Sequence, residues 1–376
     1  MSKRILVASA VAFGASQLVS ITMLAVTGHS VAEACRWDCN WYRSIVEHGY
    51  DIEPTVGPRG DFSNWSFWPA LPMLARLVVS VSGLPASTSL ILVGKASYAV
   101  ALYWFARLCS IYRPGIDPSL AVSVAALQPY AIYGNVGYTE PLFFALTCAA
   151  LVFAREGRVL MAGVVGAMAT TVRLPALFLA PAFAVRLWVP PVLKLRLPGA
   201  PAVFAVVLTP LGLATFSLYE HVKVGDGLAF VNNQRAWHPT LTNSFRAISD
   251  ALSNMLGALL LLPGALNGEI SWESVRALGL HNSYYALTSL FALASLWAFS
   301  ARKEFDLLAF SLLATLVPLA VSLGSMPRYI WWQPPVLLLV AAAAARRWFA
   351  YAYFVVSAVV TPVTYLGWFS DFAFVT

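Results

Sequence analysis

The sequence predicts an all-helical protein that crosses a membrane many times, and three observations carry that expectation. Apolar runs of spanning length, about 20 residues each, recur from one end of the chain to the other. Hydrophobic residues make up 59% of the 376 and charged ones only 11%, with a mean hydropathy of +0.72. The basic residues behind the net charge of +7 fall singly or in pairs between apolar runs. That is the distribution of positive-inside loops, not of a nucleic-acid surface, so no nucleic-acid partner is expected. No polar stretch is long enough for a separate soluble domain, so residues 1–376 read as one integral membrane domain in contact with the lipid bilayer.

Lys3 and Arg4 put the N-terminus on the cytoplasmic side of a first span, 5–27. That run is too long for a signal peptide and further spans follow, so Ala32 and Ala34 make only a weak cleavage site. Residues 28–86 form a large first external loop. Within it 67–83 is apolar but carries Pro69, Pro72 and Arg76, and reads as a helix lying at the interface. The second span, 88–108, leads to an inner loop with Arg107 and Arg113. Spans at 118–134 and 138–154 make a tight hairpin ending at Arg155-Glu156-Gly157-Arg158. A second hairpin, 159–172 and 174–188, turns outside at Arg173 and ends near Arg186, Lys194 and Arg196. A span at 199–219 leads to a second external segment, 220–281, in which 251–264 is apolar but short and reads as interfacial or re-entrant. Spans at 282–300, 306–323, 331–345 and 348–368 follow, with Arg302-Lys303 and Arg346-Arg347 on inner loops. The sum is roughly 11 transmembrane helices, N-terminus inside and C-terminus outside. No inverted repeat of the transporter kind is visible.

The first external loop opens with the block that points to chemistry. Residues 35–51 are dense in ionisable and aromatic groups inside an apolar chain. Asp38, flanked by Trp37 and Trp41, falls where the first helix releases the chain at the far surface. Aromatic rings favour that interface, and a carboxylate in water beside apolar walls can exchange a proton with a substrate arriving through the lipid. A loop carboxylate or helix N-cap beside interfacial rings is the blander reading.

Several segments together resemble the PIG-V family of mannosyltransferases, which belong to the GT-C class of membrane glycosyltransferases. Trp37-Asp38-x-x-Trp41-Tyr42-x-x-Ile45-x-x-x-Gly49-Tyr50 is similar to its first-loop signature. Phe67-Trp68-Pro69-x-x-Pro72 and Tyr138-Thr139-Glu140-Pro141-Leu142-Phe143 resemble its next two elements. Arg173 matches an arginine after the fifth span. Gly225-Asp226-Gly227-Leu228-Ala229-Phe230, with Gln234 and Trp237, and Ser325-Met326-Pro327-Arg328-Tyr329 resemble its later ones. The matches run in order along nearly the whole chain. Cys39 and Gly227 depart from the family pattern, which has Gly and Pro there.

The resemblance implies a GT-C-like fold and transfer of a sugar, most simply mannose, from a polyprenyl-phosphate donor to a hydroxyl of a glycan, lipid or protein acceptor at the external face. A bacterial inner membrane is expected ahead of the endoplasmic reticulum. Asp38 would be the base, and a single displacement that inverts the sugar needs only one carboxylate. Arg173, Arg328 and Lys95 would hold the donor phosphate, with an interface anchor or a helix-end ion pair as the blander reading of the two arginines. Lys95, about two turns into its span, should face a cavity or a carboxylate, or snorkel to the surface. Glu140 could hold an arginine in place, touch sugar hydroxyls, or form a structural ion pair. Trp37, Trp41, Tyr42, Tyr138 and Tyr329 are candidates for substrate contact, and interface packing explains the tryptophans and Tyr42 equally well. Gln234, Trp237 and His238 could line the acceptor side, and a membrane-interface tryptophan with a solvated histidine fits at least as well. Asp51 and Asp61 read as loop-stabilising. A transporter or flippase of lipid-linked sugars is the rival function, and its site should lie near the bilayer midplane.

The five histidines show no pair at metal-ligand spacing and no nucleotide-binding motif occurs, so neither metal nor other cofactor is expected. Four cysteines are too few for a disulfide framework. Cys35 and Cys39 bracket Trp37-Asp38 on the expected oxidising side. One helical turn puts their Cα atoms roughly 6 Å apart, within reach of a disulfide, and two thiols packed among aromatic rings fit as well.

Overall fold

The computed structural model describes residues 2–55, 62–188, 200–236, 244–271, 274, 280–321 and 325–370. Among these every regular element is helical, and the only strand-like pairing is an isolated antiparallel bridge between Thr55 and Phe62. The chain is the all-helical polytopic protein its sequence predicts. Six helices among the described residues are long and apolar enough to cross a membrane.

α1 (Ser2–Thr27) and α4 (Ala86–Tyr112) are the long uninterrupted rods, with no proline inside either. Between them come two short helices of the long connecting loop, α2 (Asp38–His48) and α3 (Ala70–Ser82). α4 is the central mast. α1, α2, α3, α5 (Pro118–Ala126) and α6 (Glu140–Arg155) all pack on it. α6 buries Ala145, Cys148, Ala149 and Val152, mostly small side chains that let backbones approach closely. α7 (Val159–Thr170) crosses α9 (Ala200–Leu208) at Gly163, where a Cβ would stand 2.7 Å from the Ala205 Cα. The Thr170 hydroxyl there donates to the Thr209 carbonyl at 2.9 Å. α8 (Leu179–Trp188) and α10 (Leu211–Val224) flank that pair, and a short α11 (Ala229–Asn232) follows α10.

Three expected spans and one segment expected to be interfacial are redrawn. The span expected at 118–134 is a nine-residue α5 followed by an irregular stretch, because Gln128-Pro129 stops the helix. That backbone, irregular apart from a 3₁₀ turn at Ala131–Gly134, is tolerated because residues 128–140 are wholly buried in protein. The span expected at 199–219 is broken between α9 and α10 at Thr209-Pro210. The short apolar run at 251–264 is the inner part of α12 (Ser244–Leu266), long enough to cross a membrane, whose first turns hide behind Arg246, Ser249 and Asp250. α13 (Leu280–Ala301) and α14 (Phe305–Val321) lie close to expectation. The span expected at 331–345 starts only at Pro334, as α16 (Pro334–Ala344), and a separate short helix, α15 (Met326–Trp331), precedes it. α17 (Arg347–Phe369) completes the described bundle.

Ion pairs between distant residues collect at two opposite ends of these helices. At one end Arg4 pairs with Asp117, Arg107 with Glu156, and Arg113 with Glu304. Arg155 reaches Asp306 at 3.1 Å, and the Tyr112 hydroxyl donates to the same carboxylate at 2.5 Å. These residues lie at or beside the start of α1, α5 and α14 and the end of α4 and α6. At the other end stand Asp38, Glu140, Arg173 and Arg328.

Candidate active site

α2 begins abruptly. Trp37 has φ 53° and ψ −122°, the values of the first central residue of a type II′ turn. The Cys39 N–H donates to the Arg36 carbonyl at 3.0 Å and closes that turn. A disulfide joins Cys35 to Cys39, with Cα atoms 5.1 Å apart, so the bonded alternative is the one adopted. The helix then buries Cys39, Tyr42, Ile45 and Val46 against the bundle. No side chain caps its N-terminus, and the Asp38 N–H instead donates to the Tyr138 hydroxyl at 3.0 Å. Asp38 is therefore fixed by backbone from its own loop and by a side chain from a segment 100 residues away.

Glu140, Arg173 and Arg328 arrive from three other segments. Glu140 is the first residue of α6, Arg173 precedes a 3₁₀ turn at Leu174–Phe178, and Arg328 sits in α15. Arg328 Nη1 donates to Asp38 Oδ2 at 2.9 Å, and its Nε lies 3.3 Å from Glu140 Oε1. The same Glu140 oxygen pairs with Arg173. The result is a chain of charges, Asp38–Arg328–Glu140–Arg173, with equal numbers of each sign. Side-chain exposure falls from 35% at Asp38 to 11% at Arg328 and 1% at Glu140, with Arg173 at 15%. Glu140 thus anchors the group from inside, and Asp38 is its mouth. The Arg328 guanidinium also lies 5.1 to 5.6 Å from the rings of Tyr329, Tyr133 and Tyr138, and Arg173 lies 5.1 Å from Tyr329. Such contacts favour a guanidinium, planar and weakly hydrated, over an ammonium.

The remaining expected site residues divide. Lys95 does not join the group. Its ammonium donates to Gln17 of α1 at 2.6 Å, and Gln17 in turn donates to Asn135 at 2.8 Å, so a string of amides takes the place of the expected carboxylate or cavity. Trp37 is 37% exposed beside Asp38. Trp41 stacks on Phe67, ring centroids 5.5 Å apart, and Tyr42 meets the edge of the same ring. Burial and the nearby Asp38 carboxylate push the Tyr42 phenol up, which keeps it a hydrogen-bond donor. Tyr138 is buried and its hydroxyl is spent on the Asp38 backbone. Tyr329 lies against both arginines. Gln234 is exposed and bonds to none of the four charged groups among the described residues. Its neighbour Asn233 ties the segment after α11 to the loop before α3 through Ser63 and Ser66. Trp237, His238 and Asp61 lie outside the described residues. Asp51 stabilises its loop, exchanging two 3.0 Å hydrogen bonds with Asn64.

Sequence reasoning missed Tyr133, Thr139, Gly137 and Trp368. Thr139 shares a side-chain hydrogen bond with Tyr42. Trp368, fully buried near the end of α17, donates to the Ala34 carbonyl at 3.0 Å and meets Tyr133 and Tyr138 edge-on. The clustering of Tyr130, Tyr133 and Tyr138 just ahead of Glu140 is the one signal that could have marked this aromatic floor. Among the described residues no group of three or more His, Cys, Asp or Glu could hold a metal.

No family model matches the chain, and a search of the curated proteins returned no match either. Among solved structures, a crystal structure of the Archaeoglobus fulgidus oligosaccharyltransferase with zinc and sulfate is similar with a TM-score of 0.47 and 12% identity. The similarity covers 86% of this chain and 48% of that one, so this chain spans about half the length of that protein.

Proposed function

We propose that the protein is an inverting membrane glycosyltransferase of the GT-C class, PIG-V-like, which moves a sugar, mannose by the motif resemblance, from a polyprenyl-phosphate donor to an acceptor hydroxyl. The observation that carries this reading is the pairing of the accessible Asp38 with Arg328, backed by a buried Glu140 that also holds Arg173. Transfer needs a base at the mouth and cations for the leaving phosphate, and the group supplies both from helix ends. A transporter site would be expected deeper, near the middle of the spans.

In the proposed step the acceptor hydroxyl gives its proton to Asp38 as its oxygen bonds to the anomeric carbon. The bond from that carbon to the phosphate oxygen breaks, and the electron pair leaves with the phosphate. The phosphate's added charge faces Arg328 and Arg173, whose forked donors suit it. In the free protein Arg328 occupies Asp38 Oδ2. A bound donor phosphate competes for that guanidinium and so frees the carboxylate where it is needed. Arg107, Arg113 and Arg155 at the opposite end of the bundle support, by the positive-inside rule, a site that faces outward and an N-terminus that faces inward.

The test is direct. Purified protein is given labelled polyprenyl-phosphate mannose and a panel of glycan, lipid and protein acceptors. Label is expected to move with inversion in the wild type and not in Asp38→Asn. Donor binding without transfer to any acceptor would sink the transferase reading and favour the transporter.

A further inference from the structure

We propose that the Cys35–Cys39 disulfide is a positioning element for the Asp38 base, and that it stands in for the glycine that a tight turn into α2 would otherwise need. The inference rests on the transferase reading of Asp38. Three observations lead to it. The first is the conformation of Trp37, a bulky residue at φ 53° in a place where the turn type normally demands glycine. A backbone of this kind persists only where its surroundings over-determine it. The second is what holds it. The disulfide closes Cys35 to Cys39 directly around Trp37 and Asp38, and the Cys39 N–H bond to Arg36 lies within the same ring. The third is the packing of the bridge itself. Cys39 is fully buried and Cys35 nearly so. A Cβ on Gly137 would stand 2.8 Å from Cys39 Sγ, so the sulfur rests on the backbone of the segment that presents Tyr138. Tyr138 in turn accepts the Asp38 N–H. The bridge therefore locks the Asp38 turn from within and seats it against its outside support.

The consequence is specific. Without the bridge, the first turn of α2 is held only by hydrogen bonds, and Trp37 can relax to an ordinary negative φ. That relaxation re-aims the Asp38 side chain but leaves Arg173, Glu140 and the aromatic floor where they are. The base should lose its alignment while the donor site stays formed. The residues involved are Cys35 and Cys39 as positioning residues; neither touches a reacting atom.

Wild type, Cys35→Ala, Cys39→Ala and the double variant are compared in the transfer assay, in donor binding and in thermal unfolding. Mass spectrometry of the non-reduced peptide covering 35–43 is expected to show the bridged form, two hydrogens lighter than the dithiol. Each variant is expected to turn over about 10- to 100-fold more slowly, the cost of a misplaced reacting group. The double variant should be no worse than either single one, since each removes the same bond. Donor KM should stay within about threefold. Wild-type turnover in the variants, or a peptide with two free thiols, overturns the proposal. So does a fall in unfolding temperature that tracks the fall in turnover, which would make the bridge only a staple. If the wild type itself transfers no sugar, the transferase reading fails first, and that outcome is distinct from both.

Discussion

Asparagine at position 38 keeps the shape of aspartate and can still accept from Arg328, but it cannot take a proton at neutral pH. Asp38→Asn is therefore expected to lower transfer about 10²–10⁴-fold with donor binding nearly intact. Activity within a few-fold of wild type would remove Asp38 from the mechanism. Arg328 is a different kind of position, because it touches Asp38, Glu140 and three tyrosine rings at once. Arg328→Lys keeps the charge but loses the planar fork, so it should rescue only part of the donor use lost in Arg328→Ala. Wild-type donor KM and turnover in Arg328→Ala would mean that phosphate is held elsewhere. Glu140→Gln should act mainly on stability. It leaves two guanidiniums, each mostly buried, without the carboxylate they share. Loss of one partner from such a group costs about 3–5 kcal/mol, so unfolding by heat should come markedly earlier. An unchanged unfolding temperature would show that solvent already satisfies both arginines.

At the scale of the elements, the segment between α5 and α6 does the most for the site and was the least legible. Gln128-Pro129 interrupts an apolar window that reads as one span, and nothing in hydropathy separates a short helix plus buried irregular chain from a full crossing. Yet this stretch carries Tyr133, Gly137, Tyr138 and Thr139, all facing the charged group or its supports. Asp38, Glu140 and Arg328 were legible because each belongs to a short motif at a helix end, and Arg173 because it falls at the turn between two apolar runs. Lys95 was misjudged for a related reason: depth along a helix says nothing of which neighbour it faces, and here that neighbour is Gln17 on α1. Gly137→Ala probes the element directly. Its φ of +78° strains any side chain, and the added methyl would meet Cys39 Sγ. A loss of about 1–3 kcal/mol in stability is expected. The loss should shrink in a Cys39→Ala background, where the sulfur is gone. Equal costs in the two backgrounds would show that the strain alone is felt.

For the whole molecule, the proposed orientation can be read with two engineered thiols. Asn40 and Arg302 are exposed at opposite ends of the bundle, while Cys109 and Cys148 are buried and Cys35 and Cys39 are bonded to each other. A membrane-impermeant maleimide on intact cells is expected to label Asn40→Cys and spare Arg302→Cys. The reverse pattern would turn the site to the cytoplasm and exclude an external acceptor. Chain order adds a matter of timing. Arg113 and Arg155 are synthesised long before their partners Glu304 and Asp306, and Asp38, Glu140 and Arg173 long before Arg328. One late stretch, from Glu304 to Arg328, thus closes both ends of the bundle. Until the ribosome has delivered it, the growing chain lacks the guanidinium that links Asp38 to Glu140. On the proposed reading, the base is therefore made long before the cation that pairs with it, and the site stays incomplete until that one stretch has joined the bundle.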